Sequence, residues 1–218
     1  MVLIANKLKK IIVLFGLGGV LTLVHSQVQF PVSPPALKVG EIAKYRMIDL
    51  WNNKELSTSQ SELVEIQNDR FVTRSMTSTN PNPRTALFTR EWLPCLSMRN
   101  SDQTVCAGAF KFPMQLANKH TYEKLPWITG NGHSSGACEV KAEEKVNVAA
   151  GTFDTVRIEC AGFWNQVFDG ASSGRQTEVY WYGPTVGRIV KSQFFNFRPN
   201  SSPFDKTQTE LIEFTAGK

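Results

Sequence analysis

The sequence has few of the residues that bind metals or perform acid–base catalysis, since it contains only three histidines and four cysteines in 218 residues. Because His25 belongs to an expected leader, two histidines remain, His120 and His133. The cysteines lack the C-x₂₋₄-C spacing of zinc sites, so we expect no metal and no cofactor. A hydrolase using His133 or His120 stays open as an alternative, because His133 precedes Ser134 and Ser135 and a serine–histidine relay needs such groups in contact.

The sequence also lacks the patterns of several other protein classes. No stretch of helical length repeats its apolar residues with a 3.6-residue period, and no basic stripe is interleaved with aromatics, so we expect no nucleic-acid partner. Ala149-Ala150-Gly151-Thr152 looks like a motif. It has neither the several glycines and lysine of a phosphate-binding loop nor the Gly-x-Ser-x-Gly of a nucleophile elbow. We therefore predict a bend between two strands, in which Gly151 takes a positive φ.

The first 26 residues have the pattern of an export signal. Lys7, Lys9 and Lys10 precede an apolar run over residues 11–24, and a small residue, Ser26, ends the expected leader. Fourteen helical residues span about 21 Å, short of a hydrocarbon core of about 30 Å. We expect residues 1–26 to be a cleaved signal peptide and residues 27–218 to be a single β-rich domain with no integral membrane span. Cleavage lowers the basic residues from 24 to 21 against 19 acidic ones, so the formal charge falls from +5 to +2.

Four cysteines in an exported chain favour two disulfides. Cys95 and Cys106 lie on either side of a polar segment, residues 99–102, that is typical of a hairpin turn. Cys138 and Cys160 lie on one face of a second hairpin by strand parity. These placements predict the disulfides Cys95–Cys106 and Cys138–Cys160.

Alternation of polar and apolar residues predicts a mainly β protein of about nine to twelve strands. We predict a single curved antiparallel sheet, a half-barrel or open barrel, with at most one or two short helices, the place for one being residues 114–127. Pro81-Asn82-Pro83 is expected to interrupt the sheet, and the glycine-rich residues 130–136 to form a flexible surface loop. The expected strands cover residues 41–51, 61–67, 70–78, 84–92, 104–112, 138–148, 156–164, 176–182, 186–197 and 207–214.

The second half of the chain resembles a loose set of exported bacterial proteins of unknown function. They share the pattern E-x-V-x-V-P-A-G-x-F followed by W-Y-x-P-x-x-G, and the resemblance covers roughly residues 110–195. Ala149 stands where proline is common. The resemblance implies a fold similar to the lipoprotein-carrier half-barrel, with one concave apolar face, and it implies no catalytic residues. The matching residues are Phe112-Pro113, Glu144-x-Val146-x-Val148-Ala149-Ala150-Gly151-Thr152-Phe153 and Trp181-Tyr182-x-Pro184-x-Val186-Gly187.

Glu144 interrupts the apolar row of its strand, and a buried carboxylate is costly unless it is paired. By parity Arg157 points outward, so Arg188 or Lys191 would be the partner if Glu144 points inward. In a functional role, an inward Glu144 would instead bind a cationic group of a ligand. Alternatively, a bulge turns Glu144 to solvent.

These observations favour a non-enzymatic periplasmic protein that binds a lipid, an acyl chain or an envelope protein on a concave sheet face. A purely structural module that docks on another envelope protein remains an alternative. Aromatic side chains can line such a face, although most aromatics of a sheet belong to its core. The candidate ligand-binding residues are Trp164, Tyr180, Trp181, Phe194 and Glu144.

Overall fold

The computed structural model describes residues 28–97, 104–106, 108, 110–127, 132–166 and 172–218. In these ranges the regular structure consists of twelve strands and no helix, which confirms the predicted fold class. The strands are β1 (Ile42–Asp49), β2 (Lys54–Gln67), β3 (Arg70–Thr77), β4 (Asn80–Thr89), β5 (Pro94–Ser97), β6 (Thr104–Cys106), β7 (Lys119–Pro126), β8 (Gly132–Val148), β9 (Gly151–Gln166), β10 (Ser172–Gly183), β11 (Arg188–Phe197) and β12 (Pro203–Thr215).

The strands form one open antiparallel sheet in the order β6-β5-β4-β3-β2-β1-β12-β11-β10-β9-β8-β7. All neighbours are consecutive in the chain except β1 and β12, which pair in the middle of the sheet. The sheet is therefore a meander whose two edges, β6 and β7, come from the middle of the sequence.

Unpaired residues interrupt several strand ladders. Val64 in β2, Lys141 in β8, Val190 in β11 and Ile212 in β12 each have no partner where the register shifts. An extra residue bends the strand that carries it and increases its twist, so these bulges account for curvature of the sheet.

The bend at Ala149-Ala150 is a two-residue connection between β8 and β9, because Val148 pairs with Gly151. Gly151 has a φ of 133°, which glycine adopts without a Cβ penalty. The structure thus has the predicted bend between two strands, and these strands, of 17 and 16 residues, are long.

Both predicted disulfides are present. Cys95 pairs with Cys106 between β5 and β6, and Cys138 pairs with Cys160 between β8 and β9. In each case the two cysteines are directly opposite each other in the ladder, which brings their Cβ atoms within disulfide reach. The polar residues 99–102 lie outside the described residues.

Three local predictions were wrong. Pro81-Asn82-Pro83 lies inside β4. The pairing with β3 shifts register at these residues, and β5 pairs with β4 only at Leu87 and Phe88. Neither neighbouring strand therefore needs a backbone amide from the two prolines. Residues 119–126, expected to include a short helix, form β7. Of the expected glycine loop, residues 132–136 belong to β8 and pair with both β7 and β9.

We call the face of the sheet that carries Cys138, Cys160 and Tyr182 the inner face, and the opposite face the outer face. Residues near the start and the middle of the chain cover part of the inner face: Val32 and Met114 are joined by backbone hydrogen bonds of 2.8 Å in each direction. Together with Phe112 they are buried against Val140, Val156, Ile158 and Tyr182. A second cluster packs around the end of the β8–β9 hairpin and includes Val146, Val148, Trp181 and Leu211.

Candidate functional site

Beyond the covered part of the inner face lies a cleft of about 380 Å³. Its floor is formed by β10 and β11, and its sides come from β7 and from the connection between β4 and β5. Because residues from the two ends of the sheet line one cavity, the inner face is the concave one. The aromatic residues that line the cleft are Trp92, Phe110, Tyr122, Trp127, Trp164, Tyr180 and Phe194.

Alternation along β10 positions the floor of the cleft. Gln176, Glu178 and Tyr180 line it, since residues two apart in a strand share a face. Glu178 lies opposite Phe194 of β11, and Gln176 lies opposite Asn196, so both strands contribute to the same surface.

Glycines in the neighbouring strands make room for the large rings. A Cβ at Gly174 would overlap the Trp164 ring and the Phe197 carbonyl oxygen, and a Cβ at Gly136 would lie 2.8 Å from the Tyr122 hydroxyl. A glycine inside a strand often marks such a close approach. Gly132 and Gly136, which suggested a loop, are therefore packing positions.

A chain of hydrogen bonds runs along the cleft. Trp127 Nε1 donates to Ser134 Oγ at 2.8 Å, Ser134 Oγ donates to Gln176 Oε1 at 3.5 Å, and Gln176 Nε2 donates to Glu178 Oε1 at 2.7 Å. The Tyr180 hydroxyl donates to the other carboxyl oxygen of Glu178. These bonds hold polar groups at defined positions in a mostly aromatic surface, which is the usual composition of a small-molecule site.

Glu178 has an unusual electrostatic environment. Burial raises the pKa of its carboxyl to about 7, and the hydrogen bond from Gln176 only partly opposes this. Burial and the nearby Glu178 carboxylate also raise the pKa of Tyr122. Perturbed carboxyls in clefts are typical of functional sites, although structural networks perturb them too.

A smaller cavity of about 220 Å³ adjoins the cleft and shares Trp92 and Phe110 with it. Arg188 lines this cavity and forms a buried ion pair with Glu41, whose Oε2 lies 2.6 Å from Nη2. The guanidinium also lies 5.2 Å from the ring centroids of Trp92 and Phe214. This cation is thus already neutralised within the protein.

The structure brings together three of the five predicted ligand residues. Trp164, Tyr180 and Phe194 line the cleft, whereas Trp181 and Glu144 do not. Trp181 follows Tyr180 in an extended strand and so points to the outer face, where Lys191 Nζ lies 4.9 Å from its ring centroid.

Glu144 pairs with Arg157, against the expectation of Arg188 or Lys191. The extra residue Lys141 shifts the β8 register, which brings Glu144 onto the outer face with Arg157 and leaves their Oε1 and Nη1 atoms 2.9 Å apart. Trp181 Nε1 donates to the other Glu144 oxygen at 2.7 Å. The predicted bulge alternative is therefore the one observed, and the carboxylate is about one-third exposed.

The two histidines lie in β7 and β8. His133 contacts Asn165, with 3.5 Å between Nε2 and Nδ2, while the Ser134 hydroxyl lies on the inner face and bonds with Trp127 and Gln176. Consecutive residues of a strand point to opposite faces, which separates His133 from Ser134. His120 lies opposite Cys138 and lines a separate cavity of about 320 Å³. Among the described residues, no group of three His, Cys, Asp or Glu side chains is arranged to hold a metal ion.

Sequence reasoning missed Glu178, Gln176, Trp92 and Trp127. Glu178 and Gln176 lie in the same alternating row as Tyr180, so strand parity could have placed them beside it. Trp92 and Trp127 carried no such signal, because they lie outside the strands, where alternation does not apply.

Two solved structures are similar to this fold over most of the chain. One is a protein inferred to be a lipoprotein from Parabacteroides distasonis, with 12% identity, a TM-score of 0.54 and coverage of 86% of this chain and 100% of its own. The other is an inferred exported protein with a YmcC-like fold from Bacteroides fragilis, with 13% identity, a TM-score of 0.51 and coverage of 84% and 99%. At such identities the likeness concerns the fold alone.

No protein-family model and no curated protein matches the sequence. Within the ranges that the structure describes, no helix is both long and apolar enough to cross a membrane.

Proposed function

We propose that this protein is an exported, non-enzymatic binding protein whose inner-face cleft holds an apolar ligand such as an acyl chain. The observation that carries the proposal is the cleft of about 380 Å³, which is lined by seven aromatic side chains and lies beside the part of the inner face that Val32, Phe112 and Met114 cover. Its volume falls in the range of about 300–1,000 Å³ that is typical of small-molecule sites.

We further propose that the protein is exported. The leader pattern of residues 1–26 and the two disulfides support it, because disulfides persist in oxidising compartments. The periplasm is the compartment we propose, and the similar fold of an inferred exported protein is consistent with it. N-terminal sequencing of the protein recovered from the periplasm is expected to begin at Gln27, and an uncut leader in the membrane fraction would contradict this.

Ligand binding is tested with the intrinsic fluorescence of the protein, because Trp92, Trp127 and Trp164 line the cleft. Titration of the protein purified from the periplasm with medium-chain fatty acids, alcohols and alkylammonium ions is expected to give a saturable change. Native mass spectrometry of the same samples is expected to show one bound ligand per chain. An unchanged spectrum with all three probes and no retained ligand would refute the proposal.

Phe194 and Phe195 offer a matched pair of variants. Phe194 lines the cleft, whereas Phe195 lies on the outer face, where its ring centroid is 6.0 Å from Lys206 Nζ. Full burial of a phenylalanine side chain is worth about 1.5–3 kcal/mol, so F194A is expected to weaken ligand binding by about tenfold or more. F195A is expected to leave the affinity within about twofold, since its ring makes no contact with the cleft.

A further inference from the structure

We propose that the cleft selects an organic cation, an ammonium group on an apolar chain, which Glu178 and the surrounding aromatic faces hold. This inference rests on the proposed function and specifies its ligand class.

The charged groups that line the cleft favour a cationic ligand. Glu178 supplies the single carboxyl among the described residues that line the cleft, and no Lys, Arg or His is among them. The neighbouring cavity has a cation, Arg188, but Glu41 already neutralises it. An ionised Glu178 therefore lacks a counter-ion among the described lining residues, and an apolar site holds an unpaired carboxylate only at a considerable cost.

The hydrogen bonds of Glu178 leave capacity for a ligand. Gln176 and Tyr180 are neutral donors, and each uses one carboxyl oxygen. An ionised carboxylate can accept about four hydrogen bonds, so each oxygen retains a free acceptor position. A cationic group placed there would supply both the missing charge and further donors or close C–H contacts.

The aromatic rings around Glu178 also favour a cationic ligand. An ammonium ion is attracted to the faces of tryptophan and tyrosine rings, and aromatic cages with a carboxylate suit quaternary ammonium groups. Trp127 and Trp164 form one wall of the cleft, with ring centroids 6.1 Å apart. Phe110 also lines the cleft, and its ring packs at a steep angle against that of Tyr180, with 5.0 Å between the ring centroids.

Several aromatic rings outside the cleft contact one of the protein's own cations, and one ring of the cleft, Trp92, contacts Arg188. Lys191 lies over Trp181, Arg198 over Phe204 and Lys206 over Trp51. Among the described residues, no cation lies over Tyr122, Trp127, Trp164 or Tyr180 in this way, so an external cation is the group that fits these faces.

Proton linkage supplies an independent readout. The groups that face Glu178 from its neighbouring strands are Phe194 of β11 and Cys160 of β9, which is held in a disulfide. The titratable groups near it are Tyr180 on its own strand and Tyr122 on β7, whose pKa is raised above its ordinary value of 10.0. With a carboxyl pKa of about 7, affinity for a cation is expected to fall by up to about thirtyfold from about pH 8.5 to about pH 5.5, because protonation competes with binding.

Three ligands with the same ten-carbon chain test the charge preference: decyltrimethylammonium, decanol and decanoate, each below its aggregation concentration. At about pH 8.5 the cation is expected to bind the wild-type protein at least tenfold more tightly than the other two. In E178Q this preference is expected to fall at least tenfold, because only the aromatic rings then attract the cation. E159Q is the control, because Glu159 lies next to Cys160 on the outer face and pairs with Arg157 at 3.2 Å.

Each outcome decides the inference. Equal binding of the three ligands, a preference for decanoate, or a cation preference that is undiminished in E178Q would overturn it, while the proposed apolar binding would stand. No binding of any ligand would overturn both. If near-ultraviolet circular dichroism shows that E178Q is misfolded, the ligand series and its pH dependence in the wild-type protein still decide between these outcomes.

Discussion

Replacement of Glu178 by glutamine is expected to stabilise the ligand-free protein at neutral and alkaline pH. Burial raises the carboxyl pKa from its ordinary value of 4.5 to about 7 in the folded state. Between these values the folded state binds more protons than the unfolded state, so stability falls as pH rises through this range. Below about pH 4.5 the carboxyl is protonated in both states, and the penalty is absent.

A shift of one pKa unit corresponds to about 1.4 kcal/mol, so the shift of Glu178 corresponds to about 3 kcal/mol. Glutamine imitates the protonated carboxyl, because its oxygen can accept from Gln176 and the Tyr180 hydroxyl can accept from its amide. The stability of E178Q relative to wild type is therefore expected to rise by about 3 kcal/mol between about pH 4 and about pH 8.

Urea unfolding followed by tryptophan fluorescence, with the disulfides intact, measures this difference at each pH. Taking the difference between variant and wild type cancels the titration of all other groups. E159Q is the matched control, because it removes an exposed carboxylate from the outer face of the sheet. A difference for E178Q that stays constant within about 0.5 kcal/mol would show that Glu178 is not desolvated in the folded protein.

Three further predictions concern stability and are checked by the same unfolding measurement. G174A is expected to destabilise the protein by about 1–3 kcal/mol, because its Cβ would overlap the Trp164 ring and the Phe197 carbonyl; an unchanged midpoint would mean that this ring is not packed against β10. E41Q leaves the Arg188 charge buried and is expected to cost about 3–5 kcal/mol, whereas E213Q, whose pair with Lys44 is exposed, is expected to cost less than about 1 kcal/mol. Removing Cys138–Cys160 is expected to cost about 2–4 kcal/mol. This loss is expected to exceed that for Cys95–Cys106 by about 0.6 kcal/mol, because the separation of 22 residues is twice as long and its closure costs the unfolded chain more entropy. Equal losses would argue against this entropic explanation.

Strand parity was informative where the ladder is regular. It predicted that Cys138 and Cys160 share a face, and the two form a disulfide between β8 and β9. It failed at Glu144, because one unpaired residue, Lys141, moves every later side chain of β8 relative to its partner strand. Nothing in the local pattern around Lys141 distinguishes a bulge from a regular pair.

The glycine-rich residues 130–136 show a different limit. Glycine predicts loops because it tolerates many backbone conformations, but Gly136 lies in a strand, where a Cβ would be only 2.8 Å from the Tyr122 hydroxyl. The glycine at position 136 is therefore explained by its contact with Tyr122 and not by the composition of the surrounding segment.

The sequence by itself determined the β class of the chain, the parity of most strands and the pairing of the cysteines, because these depend on alternation between residues close together in the chain. Only the tertiary structure decided that Glu178 is partly buried among aromatic rings, that Arg188 is neutralised by Glu41, and that Trp92 and Trp127 meet across one cleft. Those contacts join strands far apart in sequence. They arise from the bending of the whole sheet, and bending depends on bulges whose positions no short segment specifies.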